Sequence, residues 1–256
     1  MIKIEKDLKT VPKSLTSELT KERRNELIEQ GAYIYEQVYN SRYKIKDIKD
    51  ALNKIYHGKC AFCEQSVEAF HVEHFRPKSI YFWLAYSWDN LLYICPNCNT
   101  HKLDKFETLQ SKAKFKAEDL KRIHRLSVIY QEEEEPLFIH PEQEDVEQLL
   151  HFKTDGTISS NDRRTQYTIN TCKLNRPRLV EKRKRVYDDF DKKYNDRLLR
   201  FFLTKKTSDL GKLTGLIEDF QEDNTKPTTE FLAFRRFILA DFLKQKNRNK
   251  LSLYFL

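Results

Sequence analysis

Cys60-Ala61-Phe62-Cys63, then His71-Val72-Glu73-His74-Phe75-Arg76-Pro77-Lys78, then Trp88-Asp89-Asn90-Leu91-Leu92-Tyr93-Ile94-Cys95-Pro96-Asn97-Cys98-Asn99-Thr100-His101-Lys102 follow one another along the chain. Two C-x-x-C turns, with 31 residues between them, bracket the rest of this stretch. Each turn presents two sulfurs to one ion, and the two together make a tetrahedral tetrathiolate site for zinc, Cys60, Cys63, Cys95 and Cys98. Four thiolates leave no open coordination position, so the ion is structural and folds the stretch by clamping its two ends. No βαβ pattern surrounds either pair, which weighs against a redox role.

The gap is longer than the roughly 15–20 residues of a simple zinc ribbon, so something else is built inside it. Val72-Glu73-His74-Phe75 reads as a short strand that Pro77 ends. Trp88-Asp89-Asn90 reads as a turn, Leu91–Ile94 as a returning strand, and residues from Pro96 to Phe106 as a helix. The expected order is strand, loop, strand, helix, stapled by zinc.

These residues resemble the HNH endonuclease motif, the ββα-metal fold, and its zinc-stapled branch most closely. That resemblance implies hydrolysis of phosphodiesters. Such chemistry needs an activated water, and an imidazole with a pKa of about 6.5 is a suitable base. It also needs a hard divalent ion, Mg²⁺ or Mn²⁺, held by oxygen ligands. Carried over position by position, the resemblance makes His74 the general base. Glu73 and Asn99 become ligands of the catalytic ion, and Asn90 braces the loop that holds the base. Lys102, three positions after Asn99 on one helical face, is expected to meet a phosphate, as are Arg76 and Lys78 beside the base.

His101 points to a different helical face from Asn99, so Asn99 is the preferred ligand. His71 shares a strand face with Glu73 and reads as an exposed or supporting histidine. Adjacent strand residues point to opposite faces. Glu73 and His74 can therefore serve one site only at a twisted strand end. The wider superfamily more often carries Asp or His where Glu73 stands.

Outward from this motif, residues 1–56 read as amphipathic helix, one running from Ser17 or Thr20 to Tyr39 and a second ending near Gly58. Residues 57–107 hold the motif. Residues 108–256 read as helix with short strands, serving as scaffold and partner surface. They comprise a helix over 108–130, an acidic solvated break at Gln131–Pro136, strands at 137–139 and 149–152, and a hairpin at Asp155-Gly156. Basic helix follows from Pro177, and a last helix from Phe231. The fold class is α+β: a mostly helical scaffold with an inserted ββα-metal motif and a small hairpin. Cys172 is left over and reads as a buried small apolar residue.

Lys plus Arg is 47 against 39 Asp plus Glu, a formal net charge of +8 that favours a polyanionic partner. Residues 173–206 carry 13 Lys or Arg and 5 Asp or Glu, either a nucleic-acid track or a solvated basic face. Only five glycines are present, too sparsely placed for a dinucleotide-binding turn or a Walker-type phosphate loop. No apolar run approaches the 18 or so residues of a membrane span. The first residues lack the apolar core of a signal peptide, so the expected compartment is the cytoplasm and no membrane partner is expected.

The longer arrangement is similar to the PtuB family, the HNH component of the Septu anti-phage system, and to related retron-associated effectors. It is carried by Cys60-Ala-Phe-Cys-Glu, Val72-Glu-His-Phe-Arg-Pro-Lys, Glu135-Pro-Leu, Leu150-His-Phe, Thr168-Ile-Asn and Leu174-Asn-Arg-Pro-Arg-Leu. That likeness implies a defence nuclease that acts on DNA beside an ATPase of the PtuA kind. Two other readings stand beside it: an effector that cleaves RNA or tRNA with the same site, and a non-catalytic zinc adaptor that binds nucleic acid.

Overall fold

A computed structural model describes residues 1–248 of the 256-residue chain. The chain packs as two units, one of residues 1–149 and 160–174, the other of residues 150–159 with the helices from Asn175 on. The fold is α+β, mostly helical, with two small two-stranded sheets.

The first unit begins with α1 (Lys13–Thr16), α2 (Glu18–Gln30), α3 (Gln37–Asn40) and α4 (Lys46–Tyr56). Ser17 caps α2, its side chain accepting from Thr20 N. The expected helix to Tyr39 is cut short. Gly31 takes a left-handed φ of 69° and its N–H closes on Ile28 O, which ends a helix where glycine carries no Cβ penalty. The freed segment carries Tyr33 and Tyr35 out of the helix.

The motif folds as β1 (His71–His74), β2 (Leu91–Ile94) and α5 (Pro96–Lys102). β1 and β2 pair antiparallel with Glu73 opposite Leu92 and His74 opposite Leu91. β2 is buried on both faces. Tyr56 of α4 stacks on Tyr93 at 5.9 Å, which sets the helical lead-in against the hairpin. Pro96 occupies the first turn of α5, where a missing N–H costs no helical bond, and Cys95 Sγ accepts from Cys98 N at 3.3 Å. Lys6 threads back to this core, donating to Trp88 O and Leu91 O while pairing with buried Glu142.

Three other sequence expectations are corrected. Residues 108–130 do not form one helix: a 3-10 segment spans Ala117–Arg122 and α6 spans Leu126–Glu134. The start of α6 is fixed from outside, because Asp89 Oδ2 accepts from Ser127 N at 2.6 Å. The acidic break is not solvated throughout. Glu134, in the last turn of α6, is 0% exposed. Among the described residues, 137–139 have no strand partner; Leu137 N bonds Glu107 O, and Pro136 makes an isolated bridge to Thr108. α7 (Arg163–Thr171) completes this unit, with Asp162 capping it through Thr165 N.

In the second unit, β3 (His151–Phe152) and β4 (Ile158–Ser159) form the expected hairpin. Gly156 has φ 85°, and a Cβ there would lie 2.4 Å from Val180 O, so no side chain fits. α8 (Pro177–Thr204), α9 (Thr207–Asp223) and α10 (Leu232–Arg248) follow. Phe190 of α8 sits 4.3 Å from Phe220 of α9, an aromatic contact at the centre of that pair.

Candidate active site and metal centre

The four cysteines 60, 63, 95 and 98 are all buried, and their sulfurs lie within 4.8 Å of one another. Cys63 Sγ and Cys95 Sγ are 3.7 Å apart. A tetrahedron with Zn–S of about 2.3 Å has an edge of about 3.8 Å, so the spacing is that of a zinc tetrathiolate. Ala61 N donates to Tyr93 O, tying the first knuckle to β2 and so to the second. Burial pushes the Cys60 thiol up, and the thiols around Cys95 push that one down by donating to its sulfur. Cys172 is 0% exposed and its sulfur is in hydrogen-bond contact with Cys98.

β1 alternates as a strand should. His71 is exposed and Glu73 partly so, while Val72 and His74 are buried. His74 is 5% exposed and its ring meets Tyr43 edge-on at 4.5 Å. His74 Nε2 lies 2.9 Å from Ala85 O. A carbonyl only accepts, so Nε2 carries the proton and Nδ1 keeps its lone pair. Burial brings the imidazolium pKa down to about 3, with Lys78, Lys102 and Lys44 adding to the depression. The ring is therefore neutral at physiological pH, with the Nδ1 lone pair free of a proton.

Asn90 is 0% exposed. Its Oδ1 accepts from Arg76 N at 2.8 Å, and its Nδ2 donates to Arg76 O and Leu84 O at 3.1 and 3.3 Å. It ties the end of β1 to the segment that carries Ala85, the residue whose carbonyl holds His74.

Glu73 and Asn99 stand on the face of β1 and α5 that also holds His71. Asn99 Nδ2 donates to His71 Nδ1 at 2.7 Å, which leaves Asn99 Oδ1 uncommitted among the described residues. His71 is thereby a supporting partner of Asn99, a role that its strand parity with Glu73 hinted at. Glu73 Oε1 accepts from Lys102 Nζ at 2.8 Å, and its side chain is 14% exposed. Glu73 and His74 leave the strand on opposite faces, yet both interact with the charge of Lys78. Lys78 is half-buried, its ammonium 4.5 Å from the Tyr33 ring and 4.8 Å from the Tyr35 ring.

Two expected phosphate contacts turn inward instead. Arg76 is 0% exposed, donates from Nε to Glu134 Oε2 at 2.8 Å and from Nη1 to Ser127 O and Oγ. A buried guanidinium needs a charged partner, and Glu134, 58 residues away along the chain, supplies it. Lys102 is likewise 0% exposed, held by Glu73, His74 O and Leu103 O. It is a strut from α5 to β1 rather than a surface contact. Lys44 was not among the sequence candidates. It is exposed beside Tyr43 and its charge reaches both His74 and Lys78. Its position depends on how the turn after α3 packs, which no local motif signals.

The pattern "HNH: HNH endonuclease" matches residues 60–105. Septu protein PtuB of Bacillus mycoides (strain KBAB4) is 28% identical over 250 residues, covering 82% of this chain and 80% of that protein. Septu protein PtuA of the same strain is 24% identical over 226 residues, again 82% of this chain but only 29% of PtuA. Among the described residues no helix is long and apolar enough to cross a membrane. Residues 60–105 thus match the HNH endonuclease family, within a chain that is similar over most of its length to PtuB.

Proposed function

We propose that this chain hydrolyses phosphodiester bonds of DNA with a divalent ion, as the nuclease of an anti-phage defence system that includes a PtuA-like ATPase. The observation that carries the chemistry is the His74 Nε2–H held by Ala85 O, with Nδ1 left to take a proton.

Hydrolysis adds a water oxygen to phosphorus and breaks the bond to the departing oxygen, which leaves as an alkoxide and takes a proton from solvent. His74 Nδ1 receives the proton of that water. Ala85 O fixes the ring and its tautomer, and Asn90 fixes the segment bearing Ala85. Lys44 and Lys78 hold the phosphate oxygens; neither has a hydrogen-bonded carboxylate partner among the described residues. A carboxylate oxygen of Glu73 and Oδ1 of Asn99 form a hard-oxygen donor pair suited to Mg²⁺ or Mn²⁺, which keep several waters and take few protein ligands. Bound there, the divalent ion supplies charge stabilisation to the reacting phosphate and the departing oxygen. Lys102 keeps Glu73 oriented from beneath.

The two Septu relatives from one strain support the defence setting and the partner. α8 leaves Leu199, Phe202 and Leu203 at 60%, 40% and 76% exposure on one helical face, an apolar surface for such a partner to cover. Contacts to phosphate rather than base do not discriminate DNA from RNA, so substrate is settled by parallel assays. The chain, alone and with an ATPase partner, is incubated with duplex DNA and with tRNA in Mg²⁺ or Mn²⁺. Metal-dependent cleavage of DNA that disappears in His74→Ala is expected. Cleavage unchanged in that variant refutes the assignment of the base. Cutting of tRNA alone refutes DNA as substrate.

A further inference from the structure

A second feature lies away from His74. Residues 8–11, α1, α2 and the segment 120–125 line an open cavity of about 720 Å³. That falls within the range of small-molecule sites, about 300–1,000 Å³. Its lining includes Lys9, Lys21, Arg24, Lys121, Arg122 and Arg125, and no aspartate or glutamate. Lys21 has an exposed partner in Glu18, and Asp7 lies near Lys9 and Arg125, but neither acid faces the cavity.

Arg24 is the most telling of the six. It is 4% exposed, its Nη2 donates to Tyr86 O at 3.2 Å, and its buried Nε has no hydrogen-bond partner. Burial lowers its pKa to about 10, so the guanidinium remains charged at neutral pH. A buried cation without a carboxylate is costly, and it stands in the wall of a cavity whose other charges share its sign. Arg76, the other interior arginine of this unit, has Glu134; Arg24 has no equivalent among the described residues. An anion entering the cavity would supply what the protein does not.

Two residues of its wall are hydrogen-bonded to the segment that precedes β2. His124, in its wall, accepts from Trp88 N at 3.1 Å through Nδ1. Trp88 opens the Trp88–Asn90 turn, whose last residue is the brace for His74. Arg24 holds Tyr86 O, two residues before the same turn.

We propose that this cavity binds a free, nucleotide-sized anion bearing two or more phosphate groups, and that its occupancy is felt at the Trp88–Asn90 turn. Several cations around one unpaired arginine suit a polyphosphate better than a single charge, because each phosphate oxygen accepts charge-assisted hydrogen bonds. The site does not depend on the nuclease reading, since none of its lining residues belongs to that chemistry.

The test is calorimetric titration of the full chain with ATP, pyrophosphate, inorganic phosphate and adenosine, without added divalent ion so that no phosphate is held through a metal at Glu73. Single-stranded and duplex oligonucleotides are titrated in parallel. The chain has two tryptophans, so a Trp83→Phe background lets fluorescence report on Trp88 alone. One ATP per chain is expected, with pyrophosphate weaker, adenosine silent and Trp88 emission shifted. Exposed Arg122→Ser and Arg125→Ser are each expected to weaken ATP binding about tenfold or more, whereas His74→Ala and Lys78→Ala leave it unchanged. Arg24→Met should abolish it; the two rim variants carry the test if that protein does not fold. The proposal is overturned by absence of saturable ATP or pyrophosphate binding, or by binding unaffected in both rim variants. Oligonucleotide binding alone that responds to them also overturns it, because the cavity would then be a stretch of nucleic-acid track.

Discussion

Asn90→Ala is the perturbation that separates a brace from a bystander. The substitution removes three hydrogen bonds from a fully buried side chain. Arg76 N–H loses its acceptor, at about 1–3 kcal/mol, and the carbonyls of Arg76 and Leu84 lose a donor at about 1 kcal/mol each. The sum, about 3–5 kcal/mol, is a large part of a typical folding stability of about 5–15 kcal/mol. For a chain of this size it corresponds to a fall in Tm of roughly 6–20 °C. The catalytic consequence is separate. The brace sets the distance between His74 and Ala85 O, and a misplacement of about 1 Å costs about 100-fold in rate, or about 2.7 kcal/mol. Thermal melts and single-turnover cleavage below the variant's Tm are therefore expected to show both losses, with zinc content unchanged. Asn90→Asp keeps the acceptor for Arg76 N–H but turns oxygen toward two carbonyls. Protonation of that carboxylate would restore a donor toward one carbonyl, so its penalty relative to Asn90→Ala is expected to shrink as pH falls. A variant Asn90→Ala with wild-type Tm and wild-type rate refutes the bracing role.

The pH profile follows from the depressed pKa of His74, which burial brings to about 3. A group with a lowered pKa stays in its neutral, proton-accepting form until the pH falls through that value, so activity of the metal-loaded protein should persist well below pH 6.5. An acid limb centred at the pKa of a free imidazole, about 6.5, contradicts this environment. Metal analysis is expected to find one zinc per chain, lost with cooperative folding of the first unit in Cys95→Ser and retained in Cys172→Ala; loss of zinc from the latter makes the fifth sulfur a ligand. Lys44→Ala and Lys78→Ala should each weaken substrate binding and lower the slope of log affinity against log salt by about 0.9. A slope unchanged in both variants removes them from the phosphate path.

The zinc cluster and the order β1, β2, α5 were legible in the sequence because they are local. C-x-x-C spacing fixes two sulfurs within one turn, and a strand ended by Pro77 needs no distant information. His74 and Asn90 stand out in the sequence because the motif carries them close to one hairpin, whereas their roles are proposals that the assays above test. The fates of Arg76 and Lys102 were not. Both sit beside the base in sequence and are basic, which marks a phosphate contact equally well as a buried strut. The choice was made by Glu134, brought from α6, and by the side on which Glu73 leaves β1.

Helix ends show the same division. Ser17 and Pro96 announced helix starts through residue type, whereas the start of α6 is set by Asp89 from another segment. Gly31 announced a stop that the apolar periodicity around it masked. The cavity beside Trp88 lies wholly on the side of tertiary structure. Lys9, Lys21, Arg24 and Arg125 span more than a hundred positions, and nothing in their spacing says that they converge. Sequence determined which groups can bind metal, move a proton or carry charge, because those are properties of single residues and short turns. Tertiary structure decided which charges are neutralised inside and which remain for a ligand, because burial and pairing are properties of the packed chain.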